Sequence, residues 1–302
     1  MLEVNRITKI FGKGDRSVVA NKDISLSIPK GSIVGFLGAN GAGKTTLVKI
    51  ICNLITPTGG NVILHGKDVH KTPHIAHEKI GVMLEGARNL YNFLSLDENM
   101  QYFSLLNKLD TDNFLKNKKY LLDVFDLSDK SKTVVNELSR GMQQKAALII
   151  ALLKEPDLLI LDEPTLGLDI TSQITMKEVL KNSISKKENT LIICTHDLSV
   201  VNEVCEKVCI FNKGELKVYD SINSLKNESA YNNYSVVVKK SEKIMTYVSS
   251  QNIQNKEEGE SYIEMNISNL EDLLSITAPN EIIKIEKNIN NIEKLLTELA
   301  GD

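Results

Sequence analysis

Between positions 38 and 45 the chain reads Gly38-Ala39-Asn40-Gly41-Ala42-Gly43-Lys44-Thr45, with Thr46 next. The pattern G-x-x-x-x-G-K-[ST] is one that holds phosphate. Glycines without side chains let successive backbone N–H groups converge on phosphate oxygens at a helix N-terminus. Lys44 would neutralise β and γ phosphates, and Thr45 offers a hydroxyl to Mg²⁺. A glycine-rich turn with no ligand is the competing reading. The apolar strand before the motif and the helical pattern after it favour the phosphate.

A second centre is Leu158-Leu159-Ile160-Leu161-Asp162-Glu163-Pro164, an apolar strand ending in two adjacent carboxylates. In an open parallel sheet, ligands bind at that end of the strands. Asp162 would hold Mg²⁺, directly or through water, and Glu163 would orient and deprotonate an attacking water. Alone, a carboxylate pair at a strand end also suits a solvated turn. Beside a phosphate loop the functional reading is the stronger one.

Leu138-Ser139-Arg140-Gly141-Met142-Gln143-Gln144 resembles the signature peptide, usually written LSGGQ, of the ATP-binding-cassette (ABC) ATPases. With the two motifs above, the resemblance covers residues 1 to about 220. Arg140 and Met142 depart from that wording and are similar to variants in drug-exporter ATPases. The peptide opens a helix running to about Leu153, so Ser139 and Gly141 would present a helix N-terminus to a γ-phosphate. In the family that phosphate belongs to ATP on the opposite subunit. The resemblance therefore implies a head-to-tail dimer with two ATP molecules between its subunits.

The same resemblance implies roles elsewhere. Phe11, in Lys9-Ile10-Phe11-Gly12, falls where an aromatic ring stacks on adenine, although a strand-end core aromatic would read alike. Asp169, in Leu166-Gly167-Leu168-Asp169, matches the loop that communicates across the dimer, and His196, in Thr195-His196-Asp197, matches the switch histidine that senses the γ-phosphate. Glu85 is a departure, since the family has glutamine there. A carboxylate still ligates Mg²⁺ through oxygen, but it adds negative charge beside the triphosphate and loses an amide donor. Arg88, Tyr91 and Phe93 follow in a stretch that faces the membrane partner in the family; a surface loop with core aromatics explains each of them equally well.

These groups need strands to carry them. Leu2 to Thr8 and Val18 to Ile28 read as strands, the second alternating Ile24, Leu26 and Ile28 with polar neighbours. Ser32 to Leu37 reads as a buried parallel strand, Leu47 to Leu54 as a helix, and apolar strands return at 158–161, 191–194 and 208–211. A turn at Asn212-Lys213-Gly214 leads into a strand at 215–219. The expected fold is an α/β P-loop NTPase domain of ABC type over residues 1–220, with a mixed sheet core, an antiparallel β subdomain and an inserted helical subdomain at about 87–140. Ser221 to Asn233 is expected to be a linker. Residues 234–302 read as a small C-terminal α/β accessory domain, with strands at 234–239, 261–267 and 281–286 and helices at 241–250, 269–277 and 289–299. Ser268 with Glu271 suits a capping box, and Leu295, Leu296 and Leu299 would line one face of the last helix.

Composition bounds what such a chain does. The 36 basic and 39 acidic side chains give a net charge of −3, which argues against nucleic-acid binding through an overall field. The −3 divides into +2 before residue 221, from 28 basic and 26 acidic side chains, and −5 after it, from 8 and 13, so a slightly basic motor carries an acidic appendix. The longest apolar run, Ala146 to Leu153, falls far short of the roughly 18 residues a membrane-spanning helix needs, and no secretory signal is read at the N-terminus. Cys52, Cys194, Cys205 and Cys209 suit reduced core thiols better than a disulfide framework. His65, His70, His74 and His77 cluster in sequence without a fixed metal-ligand spacing.

The expected function is ATP binding and hydrolysis, with ATP and Mg²⁺, by a subunit of a membrane ABC exporter of drug, peptide or lipid-like cargo. Its partners would be a separate transmembrane permease and a second nucleotide-binding subunit, in a homodimer. Nucleic acid is not among them. The expected location is cytoplasmic, peripheral on the inner face of the membrane through the permease. A regulatory ATPase, or a soluble non-transport one acting on a ribosome or DNA partner, is the alternative.

Overall fold

Ile33–Leu37 has no polar residue on either side of its pleat, and all five residues are buried, as a strand covered on both faces requires. The computed structural model describes residues 1–86, 89–185, 189–227, 233–251, 253, 255–258, 261–267 and 269–288. The chain divides into two units, Met1–Asp220 and Ser221–Asp302.

The first unit runs β1 (Leu2–Phe11), β2 (Val18–Ile28), β3 (Ile33–Leu37), α1 (Lys44–Ile51), β4 (Gly59–Leu64), β5 (Lys67–Asp68), α2 (Pro73–Lys79) and β6 (Ile80–Met83). Then follow α3 (Leu96–Leu106), α4 (Thr111–Val124), α5 (Arg140–Leu153), β7 (Leu158–Asp162), α6 (Ile170–Ser185), β8 (Thr190–Thr195), α7 (Leu198–Val204), β9 (Lys207–Asn212) and β10 (Glu215–Ser221). A six-stranded sheet has the order β10-β9-β3-β8-β7-β6. Its pairs β9/β3, β3/β8, β8/β7 and β7/β6 are parallel. The two-residue turn Lys213-Gly214, with φ of 45° and 81°, reverses the chain from β9 into β10. A four-stranded sheet, β2-β1-β4-β5, is antiparallel. Ile24, Leu26 and Ile28 of β2 reach the common core with Phe36 of β3 and Phe211 of β9, whose rings lie 5.1 Å apart.

Helices α3 and α4 and the start of α5 form the helical insertion. Its ends are capped by sequence: Ser95 and Glu98 make a reciprocal capping box on α3, Asp110 caps α4 and Ser139 caps α5. Helix α1 begins at Lys44, three residues before the expected start, because the phosphate loop itself supplies its left-handed N-cap, Gly43.

In the second unit, α8 (Ile222–Asn227) precedes β11 (Asn233–Lys239), α9 (Glu242–Ser250), β12 (Asn255–Glu258), β13 (Tyr262–Ile267), α10 (Leu270–Ile276) and β14 (Ile282–Asn288). The stretch 221–233, read as a linker, thus opens with a helix, and the Ser221 hydroxyl accepts from the Ser224 N–H at its start. The antiparallel order β12-β13-β11-β14 with this β-α-β-β-α-β sequence is a ferredoxin-like arrangement. Val236, Val238, Ile263, Met265 and Ile267 on one sheet face bury Ile244, Val248 and Leu273 of the helices. Strand β12 was not expected; its Asn-Lys-Glu-Glu lacks apolar alternation and is held through backbone pairing to β13. Asn269 caps α10 by accepting from the Glu271 N–H. Ser268 and the helix expected at 289–299, with Leu295, Leu296 and Leu299, lie outside the described residues.

Candidate active site

Strands β3, β8, β7 and β6 are neighbours, so the four loops leaving their carboxyl ends meet on one edge of the sheet. They deliver the phosphate loop after β3, His196 after β8, Glu163 after β7 and Glu85 after β6. Lys44, Thr45, Glu85, Asp162, Glu163 and His196, together with Ala20, residues 40–43, Thr46 and Leu166, line a cavity of about 280 Å³.

The loop's shape depends on its glycines at two points. Gly38, at φ 155°, and Gly43, at φ 98°, pass so close to the backbone oxygens of Phe211 and Ala20 that a Cβ on either would stand 2.4 Å from them. Two loop carbonyls are held from outside: Gly214 N–H donates to the Ala42 oxygen at 3.2 Å and Asn21 Nδ2 to the Gly43 oxygen at 3.1 Å. Lys44, 6% exposed, donates to the carbonyls of Gly38 at 2.6 Å and Ala39 at 3.1 Å. Its ammonium is thereby held inside the curve of the loop.

Thr45 donates its hydroxyl to Asp162 Oδ2 at 2.9 Å. Asp162 is 1% exposed, and burial pushes its carboxyl above the ordinary aspartate range. The Thr45 hydrogen bond and Lys44 oppose that shift, and the charges of Glu163 and Glu85 add to it. Glu163 has a left-handed backbone, φ 49°, at a modest energetic cost to a non-glycine residue. Thr195 Oγ1 donates to its Oε2 at 3.0 Å, the His196 N–H donates to Oε1 at 3.2 Å, and His196 Nδ1 lies 2.8 Å from that same oxygen. Buried Gln144, on α5, donates Nε2 to the Glu163 and Pro164 carbonyls at 2.9 and 3.2 Å.

Residues 21–166 match the family model described as ABC transporter. The ABC transporter ATP-binding protein NatA of Bacillus subtilis (strain 168) is 34% identical over 225 residues, which span 74% of this chain and 91% of NatA. The chain belongs to the ABC transporter family. The methionine import ATP-binding protein MetN 1 of Bacillus thuringiensis subsp. konkukian (strain 97-27) is 30% identical over 77% of this chain and 70% of its own length. Among solved structures, the dimeric post-hydrolysis state of the ATP-binding cassette MJ0796, bound to ADP and phosphate, matches with a TM-score of 0.68 at 25% identity, over 74% of this chain and 99% of that one. The chain is an ATP-binding, ATP-hydrolysing subunit of an ABC transporter that energises a membrane permease. Among the described residues no helix is long and apolar enough to cross a membrane.

Not every residue expected in the ABC site shares the cavity. Phe11 is 43% exposed at the end of β1, with Lys9 Nζ 4.9 Å from its ring centroid. Ser139 spends its hydroxyl on the Met142 N–H. Asp169 takes the Ser172 N–H and hydroxyl at 2.9 and 2.8 Å, which holds its carboxyl below the usual range. None of these, nor Gly141, lines the cavity. Arg88 lies outside the described residues.

Three supporting side chains carry no separate expectation from the sequence: Asn21, Gln144 and Thr195. Asn21 is fully buried in β2, at 0% exposure, which no pattern in the sequence shows. The donor set suits a hard divalent cation, with a hydroxyl on Thr45 and a buried carboxylate on Asp162 that, among the described residues, a neutral side chain alone hydrogen-bonds. Among the described residues no group of three or more His, Cys, Asp or Glu side chains would hold a metal unaided.

Proposed function

We propose that the chain is the motor of an exporter for drug, peptide or lipid-like cargo, acting as a homodimer on a separate permease. The observation that carries the motor's chemistry is the fixing of both Glu163 oxygens by Thr195 and His196, in the cavity that holds Lys44, Thr45 and Asp162. The loop N–H groups and Lys44 hold the β and γ phosphates of ATP. Glu163 takes a proton from water as its oxygen attacks the γ-phosphorus, and the bond to the bridging oxygen of ADP breaks. His196 orients Glu163 and reports the γ-phosphate. Mg²⁺ would be held by Thr45 and Asp162, with Glu85 as a further oxygen donor, and would offset negative charge on the phosphates.

Phe11 stacks on the adenine. Ser139 and Gly141, which stand outside their own subunit's cavity, present the α5 N-terminus to ATP on the second copy, with Asp169 relaying between the two sites. Light scattering of Glu163→Gln with ATP is expected to show a dimer; a monomer at saturating ATP counts against this assembly.

Export is supported by the acidic C-terminal unit and by the Arg140 and Met142 wording of the signature. Import is the second reading, favoured by similarity to the methionine import proteins. The full-length chain, co-purified with its permease and reconstituted with its ATP sites facing the bath, separates them. ATP-driven accumulation of a fluorescent drug, peptide or lipid inside the vesicles supports export. ATP-driven loss of labelled methionine from the lumen supports import.

A further inference from the structure

Ile24, Leu26 and Ile28 of β2 face the core at every second residue, and counting back by twos would bury Lys22 next. Instead Lys22 and Asp23 are exposed and Asn21 is buried. The cause is an irregularity in the pairing of β2 with β1. Ile7 faces Ile24 while Lys9 faces Asn21, so β2 has one residue more than β1 between the two pairs, and Asp23 within that stretch has a left-handed φ of 50°. A bulge of this kind re-aims a side chain. Here it turns the Asn21 amide inward, to the phosphate loop.

Asn21 Nδ2 donates to the Gly43 carbonyl at 3.1 Å, an oxygen that also accepts the Leu47 N–H at 3.0 Å in the first turn of α1. A peptide group is planar and trans, so holding that carbonyl from behind points the Lys44 N–H the opposite way. Gly43 and Lys44 line the nucleotide cavity, and Asn21 does not. The preceding peptide group is held likewise, by the Gly214 N–H on the Ala42 carbonyl at 3.2 Å, and the Lys22 N–H donates to the Gly214 carbonyl at 2.8 Å. Asn21, Lys22 and Gly214 form one brace behind two successive peptide groups of the loop. The other end of the Asn21 amide, Oδ1, is buried with no hydrogen-bond partner among the described residues. An apolar side chain at this position would leave no acceptor unpaired, so stability of the fold alone does not favour the amide. What the amide supplies is the contact to Gly43.

We propose that Asn21 is a positioning residue for ATP, acting without touching it: by bracing the Gly43–Lys44 peptide group it sets how tightly the loop holds phosphate. This rests on the reading of residues 38–45 as the phosphate site. Backbone N–H groups that converge before the ligand arrives need no rearrangement when it binds, and such pre-organisation raises affinity.

The test uses the full-length chain, with a fluorescent ATP analogue displaced by ATP or by inorganic tripolyphosphate, and melting curves taken without nucleotide. Asn21→Leu keeps the branch at Cγ and Asn21→Ala leaves a cavity, but both remove the donor. Both should bind ATP and tripolyphosphate about tenfold more weakly than the parent, although Asn21→Ala melts lower than Asn21→Leu. Affinity then follows the donor and not the stability. ATP affinity within about twofold of the parent in either variant overturns the proposal. An affinity that instead falls in step with the melting midpoint, with Asn21→Ala far weaker than Asn21→Leu, makes Asn21 a core residue only and overturns it as well. Lys44→Ala tests the underlying reading. If it loses tripolyphosphate binding while the Asn21 variants bind like the parent, the brace alone fails; if it binds tripolyphosphate like the parent, the phosphate site falls and the brace with it.

Discussion

His196 directs Nδ1 at the Glu163 carboxylate, 2.8 Å from Oε1, while the Thr195 hydroxyl holds Oε2 at 3.0 Å. One strand end thereby fixes both oxygens of a residue carried by the next strand. A general base contributes about 10²–10⁴-fold when so positioned. Glu163→Gln keeps an acceptor for Thr195 but gives up the basic oxygen. Steady-state phosphate release should fall at least about a hundredfold, with ATP affinity preserved. His196→Ala should cost less, because Thr195 and the backbone N–H at 196 still hold the carboxylate. Turnover at the unaltered rate in Glu163→Gln would remove the base assigned to this site.

Asp162 carries a buried negative charge whose one side-chain hydrogen bond, among the described residues, comes from a neutral hydroxyl. Burial raises its pKa from 3.8, so the folded carboxyl keeps its proton to higher pH than the unfolded one. The folded state then binds more protons in that window. Stability of the nucleotide-free protein declines as pH rises from 3.8 through the raised value and stays lower above it. Asp162→Asn keeps an acceptor for Thr45 and removes the charge. It should stabilise the nucleotide-free protein at pH 7 by about 1 kcal/mol, raise the thermal midpoint by about 2–4 °C, flatten the acid limb and abolish turnover. Melting curves at neutral and acid pH decide this; a variant no more stable than the parent at pH 7 contradicts the uncompensated charge.

Much of the fold could be read because its signals are local. Ile24, Leu26 and Ile28 alternate, Ser139 stands at a helix start, and Gly38 to Thr45 are consecutive in the chain. The meeting of loops from β3, β6, β7 and β8 could not be read from spacing, because strand order is a long-range property. Gln144 shows the same limit within the site. It lies in the signature peptide, yet its contact to Glu163 and Pro164 joins two segments about 20 residues apart. Strand β12 has no signal in the sequence because backbone pairing, which leaves no periodic trace, is what holds it.

Gln144 offers a direct test of that join. Its amide nitrogen serves two carbonyls of the carboxylate turn from within a buried setting, and Glu163 holds a left-handed conformation beside it. Gln144→Ala takes the Gln144 donor from the Pro164 carbonyl, leaves the Glu163 carbonyl with the Leu166 N–H alone and opens a cavity, so a loss of about 2–4 kcal/mol is expected. Gln144→Glu, with acceptors facing acceptors, should be at least as damaging at neutral pH. Urea unfolding of the two variants beside the parent measures this, and a loss below about 0.5 kcal/mol in Gln144→Ala would mean that the turn is held by other contacts.

Glu85 puts a third carboxylate in a cavity whose one lysine is Lys44. A triphosphate entering there meets added repulsion from an exposed charge, a modest term that salt screens. Glu85→Gln removes the charge and restores an amide. In the presence of EDTA, the affinity for ATP should improve about threefold at low ionic strength, and the gain should shrink toward nothing in high salt. With excess Mg²⁺ the gain should also narrow, because the parent's carboxylate then has a cation to face while the amide is the weaker ligand. Displacement of a fluorescent ATP analogue under these three conditions reads each effect separately. An EDTA affinity identical in the two proteins at low salt would show that the Glu85 charge does not reach the phosphates, and the substitution would then act only through its lost amide donor.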